Sequence, residues 1–358
     1  MKKSLLGMAV MALLFTGCNN DNNELQEEQA KVDMSDFYLY TEAGENGSTS
    51  RAAVSGKNCA SMDVLNRQLN ENPGLYKKMF EIEEQSRRFM ATAKPKGGNG
   101  GGPGGPGGGD GGSGGDDVDV QPIADNLGVI NIDVDIIIVA PNSSSVSSQQ
   151  VNSQMATLNA DFRDTNVNQL PSGTTFANDA TDAGFSFTLR DVYRYDDPRT
   201  SWGTNNAVKS AYPRPNANRL TMWICPIGGG ILGYAQFPGG NSSTDGVVVD
   251  PAYFGNTGGN FGLGRTMTHE IGHWLNLRHI WGDGRCRQDD FVADTPSSDG
   301  PNYGCPSYPT VNCKTPDMTM NYMDYVNDAC MYMFTDGQRN RMRALFQTST
   351  SPRASYLN

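Results

Sequence analysis

His269-Glu270-Ile271-Gly272-His273-Trp274-Leu275-Asn276-Leu277-Arg278-His279 holds all three histidines of a 358-residue chain. On a helix, His269 and His273 lie one turn apart and project from one face. Glu270 stands beside them, placed to act as a general base rather than as a ligand. Asn276 then interrupts the helical pattern, and His279 follows six residues after His273. Three imidazole nitrogens on one tetrahedral zinc leave a fourth position for water, the arrangement of a catalytic site; structural sites are closed and mostly built from cysteine. No Cys-x-x-Cys pair occurs in the sequence. A bare His-Glu-x-x-His arises by chance on buried helices. The spacing of the third histidine, the absence of any other, and the flanking Leu275 and Leu277 all weigh toward a catalytic zinc.

The length exceeds that of one average domain. A net charge of −11 argues against nucleic acid or an anionic membrane surface as the main partner. It suits an exported protein and is compatible with calcium. Lys2 and Lys3 precede an apolar run from Leu5 to Phe15, too short to span a bilayer. That run ends in Phe15-Thr16-Gly17-Cys18, which resembles the bacterial lipobox, where the cysteine is lipidated. Residues 1–17 thus read as a lipoprotein signal peptide and Cys18 as the lipid attachment site of a cell-surface or outer-membrane protein. The competing reading is an ordinary secretory signal with an incidental cysteine.

Residues 97–117 are glycine-rich and read as a flexible linker. It separates residues 18–96, read as tether and prosegment, from residues 118–358, read as the catalytic domain. A spacer with no inhibitory role is the alternative. Met62, Leu65 and Leu69 mark a helical stripe, and residues 75–91 continue the pattern after Pro73. Cys59 precedes the stripe. A thiolate there can occupy the open zinc position and hold a precursor inactive; a free thiol without function is the other reading. Arg87, Arg88 and the linker are candidate activation sites.

In the catalytic part, the β-branched run Val129 to Ala140 reads as a buried strand. A helix follows, with Val151, Met155, Leu158 and Phe162 on one face. Phe185 to Tyr195, Leu220 to Pro226, Ile231 to Phe237 and Val247 to Val249 read as further strands, and Asp336 to Phe346 as a final helix after a loop-rich stretch. Strands first and helices later indicate α+β.

The histidine motif joined with Asn321-Tyr322-Met323-Asp324-Tyr325 resembles the metzincin metalloproteases. HEIGHWLNLRHIWGD, MDYVNDAC and FTDGQRNRM together are similar to the pappalysin family, in its ulilysin-like bacterial branch, over roughly residues 125–350. The resemblance implies a metzincin-type catalytic domain: a twisted, mixed, five-stranded sheet, an active-site helix and a loop-rich C-terminal subdomain with a Met-turn. Asn276 stands where the family has glycine; asparagine is the residue best able to replace glycine in a left-handed conformation. Met323 matches the apolar floor beneath the zinc. Tyr325 matches a tyrosine that assists the transition state, against the plainer reading of a buried phenol. Asp328 matches the pocket for the residue after the scissile bond, which implies cleavage before arginine through a charge-assisted contact; a solvated loop residue is the alternative.

Four cysteines after the motif allow three pairings. The resemblance implies Cys286 with Cys313 and Cys305 with Cys330, leaving Cys59 and Cys225 unpaired. The acidic loop after His279 contains Asp283, Asp289, Asp290, Asp294 and Thr295. The family binds calcium in this region, so Asp290, Asp294 and Thr295 are expected ligands; a solvated acidic loop has equal standing, since EF-hand spacing is absent. Together these readings describe a zinc endopeptidase acting on proteins or peptides, made as a latent precursor, monomeric, and touching membrane only through a lipid anchor. The alternative of another class is a lipid-anchored, zinc-binding adhesin; a purely structural site has no need of Glu270. A gluzincin would need a later glutamate as third ligand, and none follows Glu270.

Overall fold

Ile130–Ala140 forms β1, an eleven-residue strand with apolar side chains on both faces. Ile132, Val134, Ile136 and Ile138 pack to one side, Ile137 and Val139 to the other, as the two-residue period of a strand requires. A strand covered on both faces belongs inside a largely parallel sheet. Accordingly β1 pairs in parallel with β2 (Phe185–Asp196) and with β3 (Leu220–Ile224). β4 (Gly233–Ala235) is antiparallel to β5 (Val247–Val249), which in turn runs parallel to β3. The order β2-β1-β3-β5-β4 makes a five-stranded mixed sheet with β4 at an edge. In this computed structural model, residues 32–41, 58–92, 120–166, 170 and 173–357 are described. The signal-peptide, Cys18 and glycine-rich linker readings lie outside the described residues.

Before the sheet come α1 (Ser61–Glu71) and α2 (Leu75–Met90). After β1, α3 (Ser148–Phe162) begins where the Ser147 hydroxyl accepts the Gln150 N–H at 3.1 Å, a side-chain cap. Its Val151, Met155, Leu158 and Phe162 join the larger core against the sheet. A short α4 (Ala207–Ala211) was not anticipated. α5 (Arg265–Trp274) carries the histidine motif and is buried along its whole length, packed on α3, β4 and β5. The expected final helix is α6 (Asp336–Arg343) followed by a 3-10 turn, Ala344–Phe346. A reciprocal capping box between Thr335 and Gln338 starts it.

Between α5 and α6 the chain is mostly loop, with only the two-residue strands β6 (Val311–Asn312) and β7 (Thr315–Pro316). Disulfides Cys286–Cys313 and Cys305–Cys330 cross-link this region. They limit the freedom of the unfolded loops, which a thin core alone would not offset. Cys59 and Cys225 are free and buried.

α1 and α2 are part of the packed unit that runs from Val32 onward. Met62, Leu65 and Leu69 of α1 meet Leu75 and Met79 of α2, with Leu39 and Phe237 closing the cluster. Each such side chain contributes about 1.5–3 kcal/mol when fully buried. One turn beyond Met79, on the same stripe, Glu83 places both carboxylate oxygens on Arg341 of α6, at 3.0 and 2.6 Å. Arg87 Nε also donates to Glu83 at 2.8 Å. Burial pushes the Glu83 carboxyl up, but the Arg341 and Arg87 guanidinium groups outweigh it and hold it below its ordinary value. Arg341 Nε in turn donates to the Asn276 carbonyl at 2.8 Å. Residues of α2 and α6 therefore brace the turn that follows the histidine helix.

Candidate active site

α5 starts at Gly264, whose φ of +86° is left-handed. Asp328 is fully buried at this end, and one carboxylate oxygen accepts the N–H groups of Leu263 (2.9 Å) and Arg265 (3.1 Å). A carboxylate is favourable at a helix N-terminus, where backbone N–H groups point outward. At the other end Asn276 adopts φ +73°. The Leu277 N–H then reaches back to the Gly272 carbonyl at 2.9 Å, so the chain reverses and delivers His279 beside the helix.

The three rings are oriented from behind. His269 Nδ1 donates to the Tyr322 carbonyl and His273 Nδ1 to the Leu277 carbonyl, both at 2.8 Å. His279 Nδ1 donates to the Asp283 carboxylate. Carbonyls and carboxylates only accept, so each Nδ1 bears the proton and each Nε2 presents a lone pair forward. Trp281 stacks on His279 at 4.3 Å, nearly parallel, and fixes the plane of that ring. His273 Nε2 and His279 Nε2 stand 3.2 Å apart. Two lone pairs at that separation repel unless a cation lies between them. A tetrahedral zinc with Zn–N of about 2.0–2.1 Å calls for about 3.3–3.4 Å. With Cys59 Sγ, the ligand atoms of the three histidines lie within 4.8 Å of one another, all from buried residues. The donor set therefore fits zinc.

Glu270 sits one residue from His269 and against the sheet edge. A Cβ on Gly233 of β4 would lie 2.9 Å from Glu270 Cγ, so only glycine leaves the base its room. Cys59 Sγ is 3.4 Å from Glu270 Oε2, and the Ser61 hydroxyl donates to the same oxygen at 2.7 Å. Burial, and next the Glu270 charge, push the Cys59 thiol well above its ordinary value; a thiolate here needs a neighbouring cation.

Met323 lies under α5, where a Cβ on Gly272 would run into its thioether. The turn that carries it is held by Asn321, whose amide exchanges two hydrogen bonds with Gln338 of α6, at 2.9 and 3.0 Å. Asp161 of α3 ties the same turn to α5: it accepts the Thr268 hydroxyl at 2.7 Å and the Tyr322 hydroxyl at 3.0 Å. Tyr325 faces the His279 ring at 4.9 Å, and its hydroxyl donates to the Cys59 carbonyl at 3.4 Å. Burial pushes the neighbouring Asp324 carboxyl up to about 7.

The acidic loop is arranged otherwise than its spacing alone implies. Thr295 donates its hydroxyl to the Asp290 carboxylate at 2.8 Å. Asp294 instead accepts the Thr335 hydroxyl (2.7 Å) and the Gly337 N–H (2.8 Å) at the start of α6. The two carboxylates are thus turned to different protein donors. Burial pushes Asp290 well up and Asp294 to about 6. Asp283, another member of that loop, orients His279.

Sequence reading missed Ser61, Trp281, Asp161 and Gln338. Asp161 carried one signal, an acid next to the apolar face of α3. Ser61, Trp281 and Gln338 carried none. The left-handed turn generates a sharp expectation. Asn276→Gly keeps full zinc content, whereas Asn276→Val, strained by about 1–2 kcal/mol at positive φ, loses zinc at lower chelator concentration. Metal analysis after dialysis against graded chelator reads the difference, and equal retention by the Val variant would count against the role given to this turn.

Residues 228–347 match the family described as pregnancy-associated plasma protein-A. An extracellular metalloprotease of Arthroderma gypseum is 31% identical over 224 residues, covering 59% of this chain and 70% of that protein. Mature mirolysin of Tannerella forsythia, solved in complex with a cleaved peptide, is 41% identical, with 64% of this chain and 96% of that chain covered at a TM-score of 0.61. A promirolysin mutant of the same organism is 33% identical and covers 84% of this chain and 97% of its own, at a TM-score of 0.68. The sheet, the imidazole cluster and these likenesses agree: the chain belongs to the pappalysin family of metzincins and is a zinc metalloendopeptidase.

Proposed function

We propose that this endopeptidase is made as a latent, exported precursor, that residues 18–96 are its prosegment, and that the released enzyme cleaves protein chains before arginine. One observation carries the latency: the Cys59 sulfur lies with the three histidine nitrogens in one buried cluster. A thiolate ligand there fills the position that water needs. The flanking backbone supports the same reading. The Leu232 N–H donates to the Asn58 carbonyl at 2.9 Å and the Ala60 N–H to the Gly233 carbonyl at 3.0 Å. An extended substrate would use that edge of β4. Arg87, itself buried and ion-paired with buried Glu83 and exposed Asp36, is a poor activation site while α2 is folded, which favours cutting in the linker.

In the released enzyme, zinc held by His269, His273 and His279 supplies Lewis acidity, lowering the pKa of water toward about 7 and polarising a carbonyl. Glu270 takes the proton of the attacking water and returns it to the leaving amine. Tyr325, freed from the Cys59 carbonyl, donates to the developing oxyanion. Met323 keeps the underside of the histidine helix apolar. Asp328 is the proposed arginine-selecting carboxylate, supported by the family pattern and by its burial.

Glu270→Gln is expected to retain one zinc and to lower kcat/KM by about a hundred- to ten-thousand-fold. The unaltered processed enzyme, profiled on a peptide library, should cut before arginine and stop when zinc is chelated. Full activity of the Gln variant, or a profile indifferent to arginine, would refute the corresponding assignment.

Calcium at Asp290, Asp294 and Thr295 is proposed on the family pattern together with the burial of Asp290 and the partial burial of Asp294, carboxylates that a divalent ion would hold. Their protein donors would have to be displaced. Chelation with EGTA should then lower the melting temperature and calcium should restore it; an unchanged melting curve removes this part. Lipid attachment at Cys18 and a place on the bacterial surface or outer membrane rest on the lipobox-like sequence. Palmitate labelling should be lost in Cys18→Ala, and persistence of the label there would reject the anchor.

A further inference from the structure

Cys59 is one point at which the N-terminal segment meets the catalytic machinery; Ser61 is a second, and it does not touch the metal position. Its hydroxyl donates to Glu270 Oε2 at 2.7 Å while accepting the Ala235 N–H of β4 at 2.8 Å. Both functions of one hydroxyl are spent on groups a substrate needs, the base and an edge-strand N–H. Ser61 is fully buried, as is Glu270, so water does not readily replace these bonds. From the geometry we infer that Ser61 is a base-directed latch, holding Glu270 idle in the precursor independently of zinc. The inference rests on the latent-precursor reading above and adds a regulatory residue to that same site.

The Ser61 O–H stands nearer to Glu270 Oε2 than the Cys59 sulfur does, 2.7 Å against 3.4 Å, and a hydrogen bond to a carboxylate is among the stronger kinds. α1 begins at Ser61, and its buried stripe of Met62, Leu65 and Leu69 sets where that hydroxyl sits. The latch is therefore a consequence of helix docking and holds whether or not the thiol is engaged.

The test uses the full-length chain as Cys59→Ala, Ser61→Ala and the double variant, with Ser61→Thr as the hydroxyl-retaining control. Initial cleavage of a quenched peptide is read before any chain scission, against the processed enzyme. Cys59→Ala should stay well below the processed rate, and adding Ser61→Ala should raise it about tenfold or more, the factor carried by one hydrogen bond to a charged group. Ser61→Thr should remain latent. A second readout is hydrogen exchange of residues 58–71 in zinc-free protein, which should quicken in Ser61→Ala and not in Ser61→Thr. Cys59→Ala at the full processed rate, together with unchanged exchange in Ser61→Ala, would overturn the latch. Quickened exchange in a chain that cleaves no peptide even after processing would uphold the contact and sink the protease reading instead.

Discussion

Three lone pairs aimed at one point are the constraint around which this molecule is arranged. Neutral imidazoles do not gather with Nε2 atoms facing unless something holds each ring from behind and a cation rewards the gathering. Here the backs of the rings are held by groups from three places. These are the Tyr322 carbonyl of the Met-turn, the Leu277 carbonyl of the reversing turn and the Asp283 carboxylate of the following loop. All three histidines are almost wholly buried, so water does not compete for Nδ1, and the tautomer is set by the fold. The same arrangement that sets one lone pair against another makes the cluster a preorganised zinc site.

Holding those acceptors still is the work of buried polar links between elements that are far apart in the chain. Asp161 joins α3 to α5 and to the Met-turn, Asn321 joins that turn to α6, and Arg341 joins α6 to the Asn276 carbonyl. Apolar contact alone tolerates sliding, whereas directional bonds in a low-dielectric interior do not. Each link also carries a cost, because a buried donor or acceptor that loses its partner is left desolvated. Loss of one end of such a pair is more damaging than replacement of both. Glu83 extends this network into α2, so the N-terminal segment is fastened to the helix that braces the histidine turn.

The way that segment meets the site follows from strand and helix geometry together. Residues 58–60 pair with the one open edge of β4, and α1 starts immediately afterwards, turning its apolar stripe onto Phe237 and α2. Edge strands with free N–H and C=O groups invite such additions. Covering the edge thus also brings the Cys59 sulfur to the three histidines. Gly233 permits it, since any side chain there would press on Glu270.

Much of this was legible in the residues because the signals are local. The four-residue spacing of His269 and His273 needs only a helix to put both rings on one face. The β-branched run of β1 and the apolar stripe of α3 needed no long-range information. Asn276 could be read as left-handed because the family resemblance puts glycine there, and asparagine is the residue best able to replace it at positive φ. Family resemblance supplied the disulfide pairing, which spacing leaves open among three arrangements. The carboxylates were harder. Sequence put Asp283, Asp290 and Asp294 in one loop, yet the fold turned them to His279, Thr295 and the start of α6. Likewise nothing near Ser61 foretells Glu270, 209 positions away. Composition and spacing determine which groups are present and which face of a helix or strand they share; where a side chain's hydrogen bonds go is decided by elements brought alongside from distant parts of the chain, because those bonds act over about 3 Å and carry no trace in the local pattern.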